Sequence, residues 1–187
     1  MTLTNLLVPT YRQMLTTLLG WLIKAQTQMP EEAEGLLLAR IAPDMFPMST
    51  QIRFACLQVR EAVFRLRGDA FPESFAELVN EGRNAEDRPG TLADARKRVE
   101  ETLAMLDNLM TDELDGDESR LIAHEIPNGM IFDLTATQYA RDWALPQFYF
   151  HLISAYAILR SEGVALGKAD YIPHMFAHIR PETMPAG

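Results

Sequence analysis

His151 sits in the middle of the stretch "LPQFYFHLISAYAILRSEGVALGK", residues 145–168, inside a run from Trp143 to Leu159 that has no formal charge apart from any proton on this ring. Gln147 lies four residues before it and Ser154 three after, so on a helix the three share one face, and Ile158 continues the row. The other faces carry Phe148, Tyr149, Phe150, Leu152, Ile153, Tyr156, Ala157 and Leu159. A narrow polar stripe on so apolar a helix needs partners, because a buried polar group left unpaired costs roughly 1–3 kcal/mol. Two accounts meet that need: a core histidine bonded to a backbone carbonyl or a glutamine, or one wall of a ligand pocket. Gln51 and Gln58, seven residues apart on another predicted helix, share a face there and are the candidates to stand opposite. On the pocket account the lining is Gln147, His151, Ser154, Tyr149, Asp44 and Gln51, and replacing His151 leaves the melting temperature within a few degrees of wild type.

Other residue patterns carry less chemistry. "HMFAH" spaces His174 and His178 as a helical metal pair after Pro173, but with no third ligand nearby such a site is exposed and weak, and a docked or fraying C-terminal turn is the plainer account. "TDELDGDES", residues 111–119, is acidic, yet its acids do not alternate ahead of a glycine and a distant glutamate as a calcium loop requires, so it is expected to be a solvated loop. There is no nucleophile elbow, phosphate-cradling loop or dinucleotide fingerprint in the sequence. Cys56 falls within a predicted apolar stripe and is expected to be a small core residue.

The elements that must position these residues follow from periodicity. Leu7, Tyr11, Met14, Leu15, Leu18, Leu22 and Ala25 recur at spacings of three and four, predicting a helix over 5–28 with Pro9 near its first turn. A short helix is expected over 31–40. A second long helix begins at Pro47, placed as the first helical residue, and stops at Gly68. Residues 73–79 suggest one or two turns. Thr91 with Asp94 forms a capping box opening a third long helix, whose inward stripe runs from Leu92 to Met110. Asn128–Gly129, flanked by β-branched and aromatic residues, predicts a hairpin over 121–134 with a type I′ turn. Thr135 with Gln138 then caps a last helix reaching about Ser161, with a kink expected near 142–146 because Pro146 lies inside it. Four long amphipathic helices and one hairpin make an all-α, four-helix bundle: a single domain over 1–171 followed by a tail over 172–187.

Composition bounds the function. The chain of 187 residues is 48% hydrophobic and 23% charged, which suits a globular core. Its formal net charge of −9 repels nucleic acid and anionic membrane surfaces, so neither is expected as a partner. One cysteine forms no internal disulfide, and the start "MTLTNLLVPTYR" has no basic residue ahead of its apolar run, so no signal peptide is expected and the location inferred is cytoplasmic.

"DMFPMSTQIRFAC" (44–56) and "LPQFYFHLISAYAILRSEGVALGKADY" (145–171) resemble the two signature regions of an uncharacterised bacterial domain family within the DinB/YfiT-like superfamily, whose members are four-helix bundles and include metalloenzymes. The resemblance spans the first helix to Tyr171. It implies a three-histidine metal site, one ligand from the second helix and two spaced four apart on the last. His151 occupies the matching helix, but the positions four before and four after it hold Gln147 and Ala155, and residues 47–68 contain no histidine. A three-histidine site cannot be assembled from the matching positions, and oxygen ligands from Asp44 and Gln51 would hold zinc weakly. No metal or other cofactor is therefore expected. Lys168 and Asp170 belong to the second signature and are expected in a solvated turn.

Three functions stay open: small-molecule binding in a metal-free pocket, the metal- and thiol-dependent transfer that the superfamily implies, or a structural or regulatory homodimer. The resemblance also implies dimerisation, and the last helix has apolar residues to spare for a partner in Phe148, Tyr149 or Tyr156.

Overall fold

The computed structural model describes residues 1–117 and 119–183. Glu118 of the acidic loop and residues 184–187 of the tail lie outside it.

Helix α1 (Leu3–Gln28) starts at Thr2, whose side chain accepts a hydrogen bond from Asn5 N, and buries Leu7, Tyr11, Leu15, Leu18 and Leu22 along one stripe. The acidic loop contributes to this start. Asp115 Oδ1 accepts from Thr4 N at 2.7 Å, and Thr4 Oγ1 accepts from Leu114 N at 2.9 Å. The loop thereby satisfies a first-turn amide that no intrahelical carbonyl reaches, a role beyond solvation. The helix expected over 31–40 is replaced by a turn and a single 3₁₀ segment, Gly35–Leu38, with Ala39 already extended. The segment buries Ala33, Leu36 and Leu37 without forming a longer helix around Gly35.

Helix α2 (Met48–Arg67) follows Pro47 and ends at Gly68, whose φ of 79° takes the left-handed cap conformation. It packs against each of the next two helices and the last one. Helix α3 (Glu73–Arg83) is longer than the one or two turns expected. Its contact with α2 explains this: Leu78 is buried, and Thr50 Oγ1 donates to Gly82 O at 2.8 Å. Helix α4 (Leu92–Asp107) carries the Thr91–Asp94 capping box. It stops short of Met110, which is 68% exposed and so outside the inward stripe.

Strands β1 (Leu121–Glu125) and β2 (Ile131–Thr135) pair antiparallel, Leu121 opposite Thr135 and Glu125 opposite Ile131. The turn differs from the type I′ expectation, which needs positive φ at both Asn128 and Gly129. Gly129 alone of the two has it, at 83°. Pro127 fixes its own φ, so Pro127 and Asn128 occupy the centre of a turn closed by Gly129 N donating to Ile126 O at 2.9 Å.

The last helix opens with the predicted Thr135–Gln138 capping box and one turn, α5 (Ala136–Gln138). The kink expected near Pro146 takes the form of a π-helical stretch, Tyr139–Ala144, before α6 (Leu145–Ser161). Proline lacks the N–H that would continue the α ladder, and the widened turn accommodates the loss. Phe148 is fully enclosed, its ring 4.9 Å from Tyr11, so it is core and not available to a partner. A short helix α7 (Lys168–Tyr171) and 3₁₀ turns follow. Asp170 pairs with Lys24 at 2.9 Å and its carbonyl accepts from Trp21 Nε1 at 2.8 Å, which ties this end of the chain to α1. Helices α1, α2, α4 and α6 form the bundle and enclose one core. Among the described residues no helix is long and apolar enough to cross a membrane.

Candidate functional site

His151 points from α6 toward α2. Its Nδ1 lies 2.9 Å from Gln51 Oε1, and Gln51 Nε2 in turn donates to Phe46 O at 3.1 Å. The ring is 7% exposed, and burial pushes its pKa down to about 4. The edges of Phe54 and Phe150 stand against it, both at 5.3 Å between centroids.

On its other side the ring lines a groove of about 650 Å³ bounded by α2, α3, the hairpin and the π stretch. Phe54, Leu57, Phe75 and Val79 form apolar walls, and Gln58, Glu61, His124 and Trp143 bring polar atoms to it. The burial of β1 alternates, Ile122 and His124 facing inward. His124 is 2% exposed and packs between Trp143, 4.3 Å away, and Tyr139, 5.5 Å away. Its pKa is pushed down to about 4 by burial and secondarily by the charge of Arg65. Its Nδ1 stands 3.6 Å from Glu61 Oε1, too long for a hydrogen bond, while Glu61 Oε1 accepts from Arg65 Nε at 2.8 Å. Among the described residues neither nitrogen of His124 has a hydrogen-bond partner, nor do Gln58 Oε1 and Trp143 Nε1. Four enclosed, unpartnered polar atoms around one groove depart from the rule that buried polar groups are satisfied.

Of the residues selected from the sequence, Gln51 and His151 are brought together and Gln58 joins them at the groove. Ser154 shares the helix face, but its Oγ donates to Phe150 O at 2.7 Å, one turn back on its own helix. Gln147 is half-buried and off the groove wall. Tyr149 is half-buried beside Phe148, at 5.5 Å, and burial raises its pKa. Asp44 is exposed and outside the groove. His124, Glu61 and Trp143 also line the groove and stand outside the set that the sequence pattern singles out. Alternation within "LIAHE" pairs Ile122 with His124 and was the available signal.

The donor set does not fit the metal site that the superfamily implies. The α2 groups facing His151 are the Gln51 amide, already bonded on both sides, and the Phe54 ring. Among the described residues no three His, Cys, Asp or Glu side chains gather in a way that holds a metal ion. His174 and His178 lie in a 3₁₀ segment, Pro173–His178, where residues three apart align and residues four apart do not. Cys56 is fully buried, and burial pushes its thiol up to about 11, so it is a core residue without nucleophilic character.

A bundle of this order, with a hairpin before the last helix, is the DinB-like fold. It is similar over 91% of its length to a DinB family member protein from Shewanella denitrificans, with 29% sequence identity, a TM-score of 0.74 and 91% of that chain covered. Within that fold the chain belongs to a domain family of unknown function, DUF1993, whose family model matches residues 3–172. No curated protein matches the chain.

Proposed function

We propose that this protein binds a small molecule with a largely apolar body in the His151 groove, without a metal ion. The observation that carries the reading is the concentration of unpartnered polar atoms on His124, Gln58 and Trp143 around an apolar cavity of about 650 Å³. Groups of this kind orient a ligand that the apolar walls hold. The two tryptophans give the test its internal control. Trp143 borders the groove, whereas Trp21 is bonded to Asp170 O and borders a separate cavity beside Pro173 and His174. In ¹H–¹⁵N spectra recorded against a set of small aromatic and aliphatic fragments, binding moves the Trp143 indole signal and leaves that of Trp21 in place. A set that moves neither at millimolar concentration removes the reading.

Metal- and thiol-dependent transfer, as the superfamily resemblance implies, is the rival account. The two-sided bonding of Gln51 speaks against it, and stoichiometric zinc or nickel surviving dialysis would restore it. A homodimer is supported by Phe150 and Ile153, which are 58% and 49% exposed on one outward face of α6. A monomeric mass by light scattering at high concentration would oppose it. Net charge of −9 and a single cysteine support a cytoplasmic protein with no nucleic-acid partner, a matter for fractionation and for a gel-shift assay.

A further inference from the structure

We infer that the ligand of this groove is an uncharged aromatic molecule that donates a hydroxyl or N–H hydrogen to His151 Nε2, a phenol-class compound in the simplest case. The inference rests on the groove reading above and specifies its chemistry.

The hydrogen-bond network fixes which nitrogen of His151 bears hydrogen. Gln51 is 2% exposed, and its amide has two neighbours: the Phe46 carbonyl at 3.1 Å and His151 Nδ1 at 2.9 Å. A carbonyl oxygen only accepts, so the NH₂ end must face Phe46 and the oxygen must face the ring. The reverse orientation would set two oxygens against each other at Phe46. An amide oxygen facing Nδ1 requires an N–H there. Burial keeps the ring uncharged at neutral pH, so the hydrogen on Nδ1 leaves Nε2 as a bare lone pair. Among the described residues no protein donor bonds Nε2.

The surroundings narrow the class. The rings of Phe54 and Phe46, 5.8 Å apart between centroids, and the Trp143 ring suit a flat apolar body. Glu61 and Arg65 neutralise each other beside His124, and the exposed Arg83 and Glu125 add one charge of each sign, so the groove offers no net charge to an ion. A carboxylate set against the Nε2 lone pair would be repelled, whereas an O–H of the same size completes a hydrogen bond.

Three matched probes separate these cases: 2-naphthol, 2-methoxynaphthalene and 2-naphthoate, titrated into the full chain while the Trp143 indole signal is followed. The expected result is that 2-naphthol binds at least about ten-fold more tightly than either of the others, the size of effect one hydrogen bond to a buried acceptor supports. That preference should vanish in the double variant His151→Phe/Gln51→Leu, which removes the acceptor and its partner together. ¹⁵N spectra of the imidazoles check the same step without any ligand, with hydrogen expected on Nδ1 of His151. Equal affinity for naphthol and its methyl ether, or hydrogen on Nε2, overturns the inference and leaves the groove reading standing. Movement of Trp143 by other fragments but by none of these three has the same meaning. An indole signal unmoved by every compound overturns both. Should the double variant fail to fold, the wild-type comparison and the ring spectra decide.

Discussion

Gln51 and His151 stand 100 residues apart in the chain and meet side chain to side chain between α2 and α6, with 2.9 Å separating Oε1 from Nδ1. The bond joins two accounts of the histidine that its position alone leaves as alternatives. One nitrogen is held as a core group would be, and the ring still forms part of a groove wall. This arrangement changes what substitution should do.

His151→Ala leaves the Gln51 oxygen without a donor in a 2% exposed position and opens a cavity. A loss of about 1–3 kcal/mol follows, seen as a fall of several degrees in the melting temperature. The near-indifference expected from the stripe alone takes no account of this partner. His151→Phe/Gln51→Leu, which removes both polar ends, should lose less than the single alanine variant. A His151→Ala melt indistinguishable from wild type would show that the bond contributes nothing.

Two buried imidazoles make stability depend on pH in a defined direction. His124 and His151 both fall from the ordinary value of 6.5 to about 4 in the folded chain. Below 6.5 the unfolded chain takes up protons that the folded chain refuses, so stability is full above that pH and declines as pH drops toward 4. Thermal melts between about pH 7 and pH 5 should show the decline before most carboxylates titrate. Replacing His124 with phenylalanine should flatten the slope. A melting temperature constant across that window contradicts the burial of these rings as uncharged groups.

Gly82 lies on α3 against α2, its carbonyl accepting from Thr50 Oγ1, and a Cβ there would enter the Phe54 ring. Because that ring is half-buried at the groove edge, it can swing into the open volume. Gly82→Ala should therefore cost little stability while narrowing the groove, weakening any fragment that moves the Trp143 signal. Unchanged fragment affinity in a folded Gly82→Ala protein would separate Phe54 from the binding wall.

Cys56 should resist alkylation in the native state, since it is fully buried and burial raises its pKa to about 11. Labelling with iodoacetamide should be slow in buffer and complete in denaturant. Rapid labelling of folded protein would mean that α2 opens locally.

The four long helices are legible in the sequence because each repeats apolar residues at helical spacing and three carry written stops or caps: Gly68, Thr91 with Asp94, and Thr135 with Gln138. The partner of His151 is half legible. Gln51 is selected by its helix face, but whether its amide meets the ring depends on how closely α2 approaches α6, which no local pattern encodes. Asp44, only seven residues earlier, stays in solvent because the chain is extended at Pro47 before α2 begins. Ser154 shows the limit of helical-face reasoning, since a serine can spend its hydroxyl on its own helix. His124 escapes notice because a strand of five residues carries little periodic signal, and its burial arises from Tyr139 and Trp143 folding over it.

The π stretch Tyr139–Ala144 acts as a phase adjuster between the hairpin and α6. Each residue of an α-helix turns the chain by about 100°. Deleting one residue from this segment would restore the ordinary ladder and rotate the hairpin that precedes it by about that angle relative to His151. Trp143 would leave His124, and the bonds from Arg120 Nη2 to Arg65 O, 2.6 Å, and to Leu66 O, 2.7 Å, which tie the start of the hairpin to α2, would lose their alignment. The helices of the bundle would stay intact while the two imidazoles lost their common cavity. Chain length in six residues thus governs the groove independently of the bundle, so insertion or loss of one residue there would retune its contents without altering any residue of its wall other than Trp143.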